Sequence, residues 1–289
     1  MKEEQTDLRL AVLIDADNIS YHHINGMMRE IARYGTPTIK RIYGDWTRPN
    51  LVGWKPVLLD YAVSPVQQFG YTYGKNATDS ALIIDAMDIL YSNNVDGFCL
   101  VSSDSDFTRL ATRLREAGKI VYGIGEQKTP NAFIAACDKF IYLEILSEGE
   151  DEHDNIPFSP MPCFRPIPEL AATFNMSPSR PGARTIRQID AQVIDLVMGS
   201  ISDLADENGW AFLGDVGNLV LKKQPAFDSR NYGYQKLSQM IRSMRGLEID
   251  ERPTGQSNVR HIYIRAKSCD EGDAGDSYPS NNLADSSDD

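Results

Sequence analysis

The chain has 289 residues, of which 42% are apolar and 24% are charged, a balance typical of a soluble globular protein with roughly two domains. Its 29 basic and 41 acidic residues give a formal net charge of -12, which argues against a surface coated with basic residues for nucleic acid. The acidity is uneven, because the last 24 residues carry seven acids and one base, whereas residues 185–265 are neutral. A local nucleic-acid site therefore stays compatible with the sequence.

Apolar runs and amphipathic stretches alternate along residues 8–147, which predicts an α/β sandwich with a largely parallel central sheet. The predicted strands are residues 10–15, 38–46, 66–73, 97–103, 119–125 and 140–146. The predicted helices are residues 20–33, 54–63, 77–93, 107–118 and 130–136, the fourth of them ending at Gly118. In the helix at 77–93, helical spacing predicts one buried apolar face, made of Ile83, Ile84, Met87, Leu90 and Tyr91.

The second half of the chain begins with a change of composition. Residues 148–184 combine an acidic run with seven prolines, which predicts a linker. Residues 185–265 contain three amphipathic segments and two strand-like segments that predict a hairpin, the pattern of a winged helix-turn-helix domain. Residues 266–289 are acidic and poor in apolar side chains, which predicts a disordered tail.

Cysteine spacing and the N-terminal sequence indicate the cellular compartment. The four cysteines lie far apart with no CxxC pair, which predicts reduced thiols rather than a zinc site or disulfides. The N-terminal residues are charged and lack the apolar segment of a signal peptide, and no run of about 18 apolar residues occurs. We therefore expect a cytoplasmic protein without a membrane partner.

Carboxylates follow two of the predicted strands and begin one of the predicted helices. Asp15 and Asp17 follow the first strand, Asp104 and Asp106 follow the fourth, and Asp79 lies at the start of the helix at 77–93. Ligands of open α/β sheets bind outside the carboxyl ends of the strands. Converging carboxylates repel one another unless a cation neutralises them, and Mg²⁺ or Mn²⁺ favours oxygen ligands. The arrangement predicts metal-assisted phosphodiester hydrolysis.

Each of these residues also has a simpler interpretation. Asp104 or Asp106 could serve only as the N-cap of the following helix. Asp85, further along the helix at 77–93, fits a solvated face or a local ion pair. Asn18 could orient a substrate or cap a helix, and Lys75 could contact phosphate or face water. The convergence of three acid-bearing segments is the more specific signal.

Four successive segments of the first half resemble the motifs of the NYN domain in its LabA-like branch, a family similar in fold to PIN-domain nucleases. They are VLIDADNIS, GKNATDSALIIDAMDILY, GFCLVSSDSDFTRLATRLREAGKIVYGIGE and TPNAFIAACDKFIYL. The resemblance implies a PIN-like sandwich and a ribonuclease centre. In that centre, the Mg²⁺ or Mn²⁺ would be held by Asp15, Asp79, Asp104 and Asp106.

The same resemblance concerns the surroundings of that centre. Asp17 and Asn18 match the first motif and would support the site or contact substrate. Family members often carry a glycine just before the Asp pair of the third motif, whereas Ser102 and Ser103 stand there in this chain. This departure keeps every acid and affects the shape of the loop.

Residues 209–244, with the wing strand VRHIYIR, resemble an OST-HTH/LOTUS domain. Members of that family bind RNA or dock onto protein partners, and the two alternatives stay open for this chain. Candidate phosphate contacts are Lys222, Lys223, Arg230, Lys236, Arg242 and Arg245, with Tyr232 or Tyr234 as a stacking surface. Alternatively, Tyr234, Leu237 and Ile241 have helical spacing and pack in the core.

Three functions are compatible with these patterns. The leading hypothesis is a Mg²⁺- or Mn²⁺-dependent endoribonuclease that its C-terminal domain directs to RNA or to a protein partner. The second is an RNA-binding adaptor without turnover. The third is a phosphatase of the haloacid dehalogenase type, with Asp15 as nucleophile and Asp17 as acid/base. The third lacks the expected Thr or Val two positions after the second Asp, because Ile19 stands there.

Overall fold

The structure is a computed structural model that describes residues 7–69, 77–146, 188–253 and 260–267. We refer to residues 7–146 as the N-terminal domain and to residues 188–267 as the C-terminal domain. The predicted linker and acidic tail, and Lys75, lie outside the described residues. Among the described helices, none combines the length and the apolar character needed to cross a membrane.

The N-terminal domain alternates strands and helices as the sequence predicts. Its strands are β1 (Arg9–Asp15), β2 (Thr36–Gly44), β3 (Ser64–Gln67), β4 (Gly97–Val101), β5 (Ile120–Gly125) and β6 (Lys139–Tyr142). Its helices are α1 (Ile24–Ile31), α2 (Trp54–Asp60), α3 (Ala77–Ser92), α4 (Thr108–Glu116) and α5 (Asn131–Ala136). Gly118 ends α4 with a φ of 76°, a conformation that favours glycine, and its N–H bonds the Arg115 carbonyl oxygen at 2.8 Å.

All six strands form one parallel sheet in the order β3-β2-β1-β4-β5-β6, which confirms the predicted fold class. The chain runs outward from β1 in one direction and returns to begin β4 beside it. The strand order therefore reverses between β1 and β4. In open α/β sheets, the crevice beyond the carboxyl ends of such a strand pair is the usual ligand site. Asp15 and Asp104 lie at or just beyond these two strand ends.

Apolar side chains cover both faces of the sheet. Residues 10–14 of β1 are fully buried, and they alternate between the two clusters on opposite faces. One cluster includes Phe107 and Phe133 beside α3, α4 and α5, and the other includes Met27 and Trp54 from α1 and α2. A continuous apolar run such as that of β1 is what a strand covered on both faces requires.

Several predictions about the N-terminal domain are wrong in detail. The third strand, predicted at residues 66–73, spans Ser64–Gln67, and Gln68 and Phe69 lie outside it. The predicted last strand at 140–146 ends at Tyr142, and a short 3-10 helix follows at Leu143–Ile145. In α3, Ile84 and Tyr91 are 61% and 73% exposed, so they do not belong to the buried face. Leu82, Ala86, Ile89 and Leu90 are the buried residues of α3, because the sheet contacts a face rotated from the predicted one.

The C-terminal domain is a winged helix-turn-helix, as predicted. Its elements are α6 (Ala191–Leu204), β7 (Ala211–Phe212), α7 (Leu213–Lys223), α8 (Leu237–Ser243), β8 (Leu247–Pro253) and β9 (Arg260–Ala266). β8 and β9 pair antiparallel, and a two-residue strand, β7, which no sequence pattern predicts, joins the other side of β9. Tyr232 is 8% exposed and packs in the core with Ile241, so it offers no stacking surface.

The two domains are in contact along β6, which is an edge strand of the parallel sheet. The Phe140 N–H on β6 donates to the Pro225 carbonyl oxygen at 2.9 Å, and Ala226 packs into the apolar cluster of the N-terminal domain. Arg230 forms an ion pair with Glu30 of α1 at 2.8 Å. The contact supplies a partner to a backbone N–H of the edge strand, which would otherwise bond only water.

Candidate metal centre

Three of the predicted carboxylates converge where the strand order of the sheet reverses. Asp79 begins α3, while Asp104 and Asp106 follow β4. One oxygen from each carboxylate lies within 4.8 Å of the other two, a spacing that could hold a metal ion. Asp79 and Asp104 are half-buried, whereas Asp106 is exposed. The described residues thus bring the carboxylate that begins α3 together with the two that follow β4.

The loop after β4 fixes the position of Asp104. Its carboxylate oxygen Oδ1 accepts a hydrogen bond from the Asp106 N–H at 2.9 Å, and Asp104 is the N-cap of the 3-10 helix at Ser105–Phe107. The capping interpretation is therefore correct for Asp104, and the cap coexists with the convergence of the carboxylates. The cap holds the Asp104 side chain at the turn through which the chain enters α4.

Asp79 experiences the repulsion within this group most strongly. Partial burial raises its pKa, and the negative charges of Asp15, Asp104, Asp106 and Asp17 raise it further, to about 6. A bound divalent cation would relieve this repulsion and favour the ionised carboxylate. The donor set therefore fits a hard cation such as Mg²⁺ or Mn²⁺.

Asp15 lies deeper and belongs to a hydrogen-bond network. Its side chain accepts hydrogen bonds from Asn18 Nδ2 at 2.5 Å, from Ser102 Oγ at 2.9 Å and from the Asp17 N–H at 3.1 Å. Asp15 is only 1% exposed, and burial raises its pKa although these hydrogen bonds act in the opposite direction. Asp15 is not one of the three carboxylates whose oxygens lie within 4.8 Å of one another, but it lies close enough for its charge to raise the pKa of Asp79.

Replacing Ser102 with Ala removes a donor to the buried Asp15 carboxylate. We expect the free energy of unfolding in urea to fall by about 1–2 kcal/mol, because a buried charged acceptor loses one partner. Ser92→Ala is the matched control, since its hydroxyl bonds a carbonyl oxygen at the end of α3 and should cost less than about 0.5 kcal/mol. An equal loss in both variants would contradict the role of Ser102.

The surroundings of the carboxylates include two residues that no sequence motif indicates. Thr78 Oγ1 donates to Asp17 Oδ2 at 3.2 Å and links the start of α3 to the loop after β1. Arg48 Nη1 lies 4.0 Å from Asp17 Oδ1, and its side chain is 54% exposed. No local motif identifies Arg48. It follows β2 in the chain, and only the pairing of β2 with β1 brings it close to the loop after β1.

The predicted contacts of the C-terminal domain are spread over its surface. Lys222 and Lys236 are exposed, and Lys223 pairs with Asp203 at 2.6 Å. Arg230 differs most from expectation, because its side chain is 15% exposed and is held by Glu30 and Asp228. Tyr234 is half-buried against the core of the domain, as the packing alternative predicts.

Comparison with known proteins gives two family matches. Residues 9–144 match the NYN domain, and residues 184–259 match the OST-HTH/LOTUS domain. A search of curated proteins finds no match to the chain.

Three solved structures are similar to parts of the chain. A protein of unknown function from Vibrio parahaemolyticus is 20% identical and covers 48% of this chain and 95% of its own, with a TM-score of 0.41. An uncharacterised protein from Nitrosomonas europaea is 30% identical and covers 37% of this chain and 94% of its own, with a TM-score of 0.26. A protein from Chromobacterium violaceum is 31% identical over 29% of this chain and 89% of its own, with a TM-score of 0.24.

Proposed function

Because the chain carries an NYN domain followed by an OST-HTH/LOTUS domain, we propose that it is a Mg²⁺- or Mn²⁺-dependent endoribonuclease. The observation that carries this proposal is the convergence of Asp79, Asp104 and Asp106 within 4.8 Å, at the reversal of strand order in the parallel sheet. Both families point to RNA as the class of partner, and the carboxylates supply the chemistry of a hydrolase.

The roles of the residues follow from their positions. Asp79, Asp104 and Asp106 would hold the divalent cation, which when bound would stabilise charge on the phosphodiester and help to generate the attacking hydroxide. Asp15 would orient the loop after β1 through its hydrogen bonds with Asn18 and Ser102, and would add negative charge to the site.

The residues that would contact the substrate lie around the carboxylates. Arg48 has a half-exposed guanidinium beside Asp17, and it would contact an RNA phosphate near the cation. Asp17 and Asn18 would shape the loop against which the strand lies. Lys75 stays a candidate on sequence grounds alone, since it lies outside the described residues.

The decisive experiment measures cleavage of a mixed-sequence single-stranded RNA with added Mg²⁺ or Mn²⁺. Excess EDTA should stop cleavage, and renewed Mn²⁺ should restore it. Asp104→Asn should lower the rate at least about 1,000-fold, since several kcal/mol of transition-state stabilisation depend on the cation. Asp88→Asn is the matched control, because Asp88 is exposed on α3 and lies outside the carboxylate group.

Two results would contradict the proposal. If Asp104→Asn cleaved RNA as fast as the wild-type protein, or if the wild-type protein cleaved RNA in excess EDTA, cleavage would not depend on the metal centre. Metal-independent RNA binding with no cleavage at high protein concentration would instead favour the RNA-binding adaptor. The phosphatase alternative would require Asp15 as nucleophile, and the buried, hydrogen-bonded position of Asp15 gives it no support.

A further inference from the structure

A cleft of about 540 Å³ lies between the two domains. Its N-terminal wall contains Arg33, Tyr34 and Lys139, and residues of β7, α7, the segment before α8 and β9 form the opposite wall. This volume is within the range of roughly 300–1,000 Å³ typical of ligand pockets. The contact along β6 creates the cleft, since neither domain alone supplies both walls.

Positive charge distinguishes this cleft from the rest of an acidic chain. The basic residues that line it are Arg33, Lys139, Arg230, Lys236 and Arg260. Asp228 is the one acidic residue in its described lining, and Arg230 bonds both oxygens of that carboxylate, at 3.0 and 2.7 Å. Arg33 and Arg260 also contact Glu30 and Glu251, but they keep 64% and 70% of their side chains exposed. The cleft thus carries a local excess of positive charge in a chain of net charge -12.

Lys139 contributes a cation that no carboxylate neutralises by direct contact. Its Nζ lies 4.7 Å from the centre of the Tyr34 ring, and no described residue forms an ion pair or hydrogen bond with it. Burial lowers the pKa of Lys139, while the charges of Asp228 and Glu30 raise it and those of Arg230 and Arg33 lower it. An anion in the cleft would supply the partner that this half-buried ammonium lacks.

Aromatic side chains also line the cleft, next to the basic residues. Tyr34 stacks on Tyr122 with ring centres 4.9 Å apart, and on the opposite wall the Phe212 ring lies 5.0 Å from that of His261. Grooves that combine basic side chains with aromatic rings hold single-stranded nucleic acids, because phosphates pair with the cations and bases stack on the rings.

We propose that this interdomain cleft binds the backbone of single-stranded RNA. The inference rests on the proposed function for the identity of the ligand, whereas the charge and the rings of the cleft define its chemistry. An acidic peptide would pair with the cations but would make no specific use of the aromatic rings that line the cleft.

The cleft is remote from the carboxylates. Lys139 begins β6, whereas the carboxylates lie at the opposite, carboxyl end of the strands. Lys139 is in register with Tyr122 of β5 and, through it, with Cys99 of β4. Cys99 lies five residues before Asp104 and two strands away from β6, so roughly 15–20 Å separate Lys139 from the carboxylates. The cleft would therefore hold a part of the RNA that is distant from the cleaved bond.

The test is the affinity for a fluorescent single-stranded RNA of about 20 nucleotides, measured in EDTA so that cleavage plays no part. Lys236→Glu should weaken binding about tenfold at low salt. Lys139→Gln should reduce the slope of log affinity against log salt by about 0.7, the value of one contact with a single strand. Lys267→Glu is the matched control, because Lys267 is an exposed lysine of the same domain outside the cleft.

A second measurement maps the RNA directly and does not depend on any variant. Ultraviolet cross-linking of the wild-type protein, followed by peptide mass spectrometry, should place RNA on Tyr34, Phe212 or His261. Equal weakening by Lys267→Glu and Lys236→Glu, cross-links confined to residues outside the cleft, or preferential binding of a poly-glutamate peptide would overturn the proposal.

Failure of this inference and failure of the nuclease proposal are distinguishable. Wild-type protein that binds RNA in the cleft but never cleaves it with Mg²⁺ or Mn²⁺ would contradict only the proposed activity. Wild-type protein that cleaves RNA, while Lys236→Glu and Lys139→Gln bind RNA as tightly as it does, would contradict only the cleft.

Discussion

Replacing Asp79 with Asn is expected to abolish RNA cleavage and, at the same time, to stabilise the metal-free protein. Cleavage should fall at least about 1,000-fold, because Asp79 supplies one of the three oxygens that converge within 4.8 Å. The stabilisation has a separate cause, since Asp79 is the carboxylate whose ionisation the neighbouring acids oppose. One substitution therefore changes activity and stability in opposite directions.

The sign of the stability effect follows from the pKa of Asp79. The pKa of Asp79 is about 6 in the folded protein and 3.8 in the unfolded chain, so between about pH 4 and 6 the folded state binds more protons than the unfolded state. The stability of the metal-free protein should thus fall as the pH rises from about 4 to 6. Asn removes the charge and should add about 1 kcal/mol at pH 7, a figure reduced for solvent screening of a half-exposed group.

Thermal unfolding with and without Mn²⁺ tests both effects. In EDTA at pH 7, Asp79→Asn should unfold roughly 2–4 °C above the wild-type protein. Added Mn²⁺ should raise the Tm of the wild-type protein, because a ligand that binds only the folded state stabilises it, and it should leave Asp79→Asn nearly unchanged. Asp88→Asn, on the same helix, should respond to Mn²⁺ as the wild-type protein does. A lower Tm of Asp79→Asn in EDTA would contradict the assigned repulsion.

The positions of the carboxylates were predictable because they depend on the parallel sheet. An apolar run ending in Asp15, and another that leads into Asp104, locate two strand ends, and parallel strands bring such ends to one edge. Asp79 was predictable as well, because the apolar periodicity of residues 77–93 places it at the start of a helix. Periodicity and strand-end chemistry, both local in sequence, therefore suffice for the fold class and for the region of the site.

The features that sequence did not predict depend on contacts between distant residues. The 1% exposure of Asp15 and its hydrogen bond from Ser102 arise from the pairing of β1 with β4. The exposure of Ile84 depends on how α3 is rotated against the sheet. Arg230 resembled a phosphate contact because its partner Glu30 is 200 residues away in the chain, and no local pattern joins them.

The second large effect concerns this ion pair, which links the two domains. Arg230 donates to Glu30 through two parallel hydrogen bonds of 2.9 and 2.8 Å, while it also bonds Asp228. The Glu30 side chain is 4% exposed, so Arg230→Met would leave a buried carboxylate with only Tyr34 and Arg33 as partners. We expect a loss of about 3 kcal/mol in urea unfolding, because removal of one member of a buried pair leaves an uncompensated charge.

Arg242→Met is the matched control, since Arg242 pairs with Glu251 on the exposed surface of the same domain. Surface pairs contribute at most about 1 kcal/mol, so the control should unfold close to the wild-type protein. Glu30→Met combined with Arg230→Met should be less harmful than the sum of the single variants, since an apolar pair leaves no unpaired charge. Equal losses in Arg230→Met and Arg242→Met would contradict the role of the pair in joining the domains.

The pair also predicts how pH acts on the contact between the domains. Burial by itself would raise the pKa of Glu30, but hydrogen bonds from Arg230 and Tyr34 and the charges of Arg230 and Arg33 outweigh it and lower the pKa to about 2. A lowered pKa stabilises the folded state above the unfolded value of 4.5, and this stabilisation disappears as the pH falls toward 2. In the wild-type protein, calorimetry should therefore show the coupling between the domains weakening over that interval, whereas Arg230→Met should lack this dependence. Because the cleft has walls from both domains, metal-free RNA affinity should fall in Arg230→Met as well.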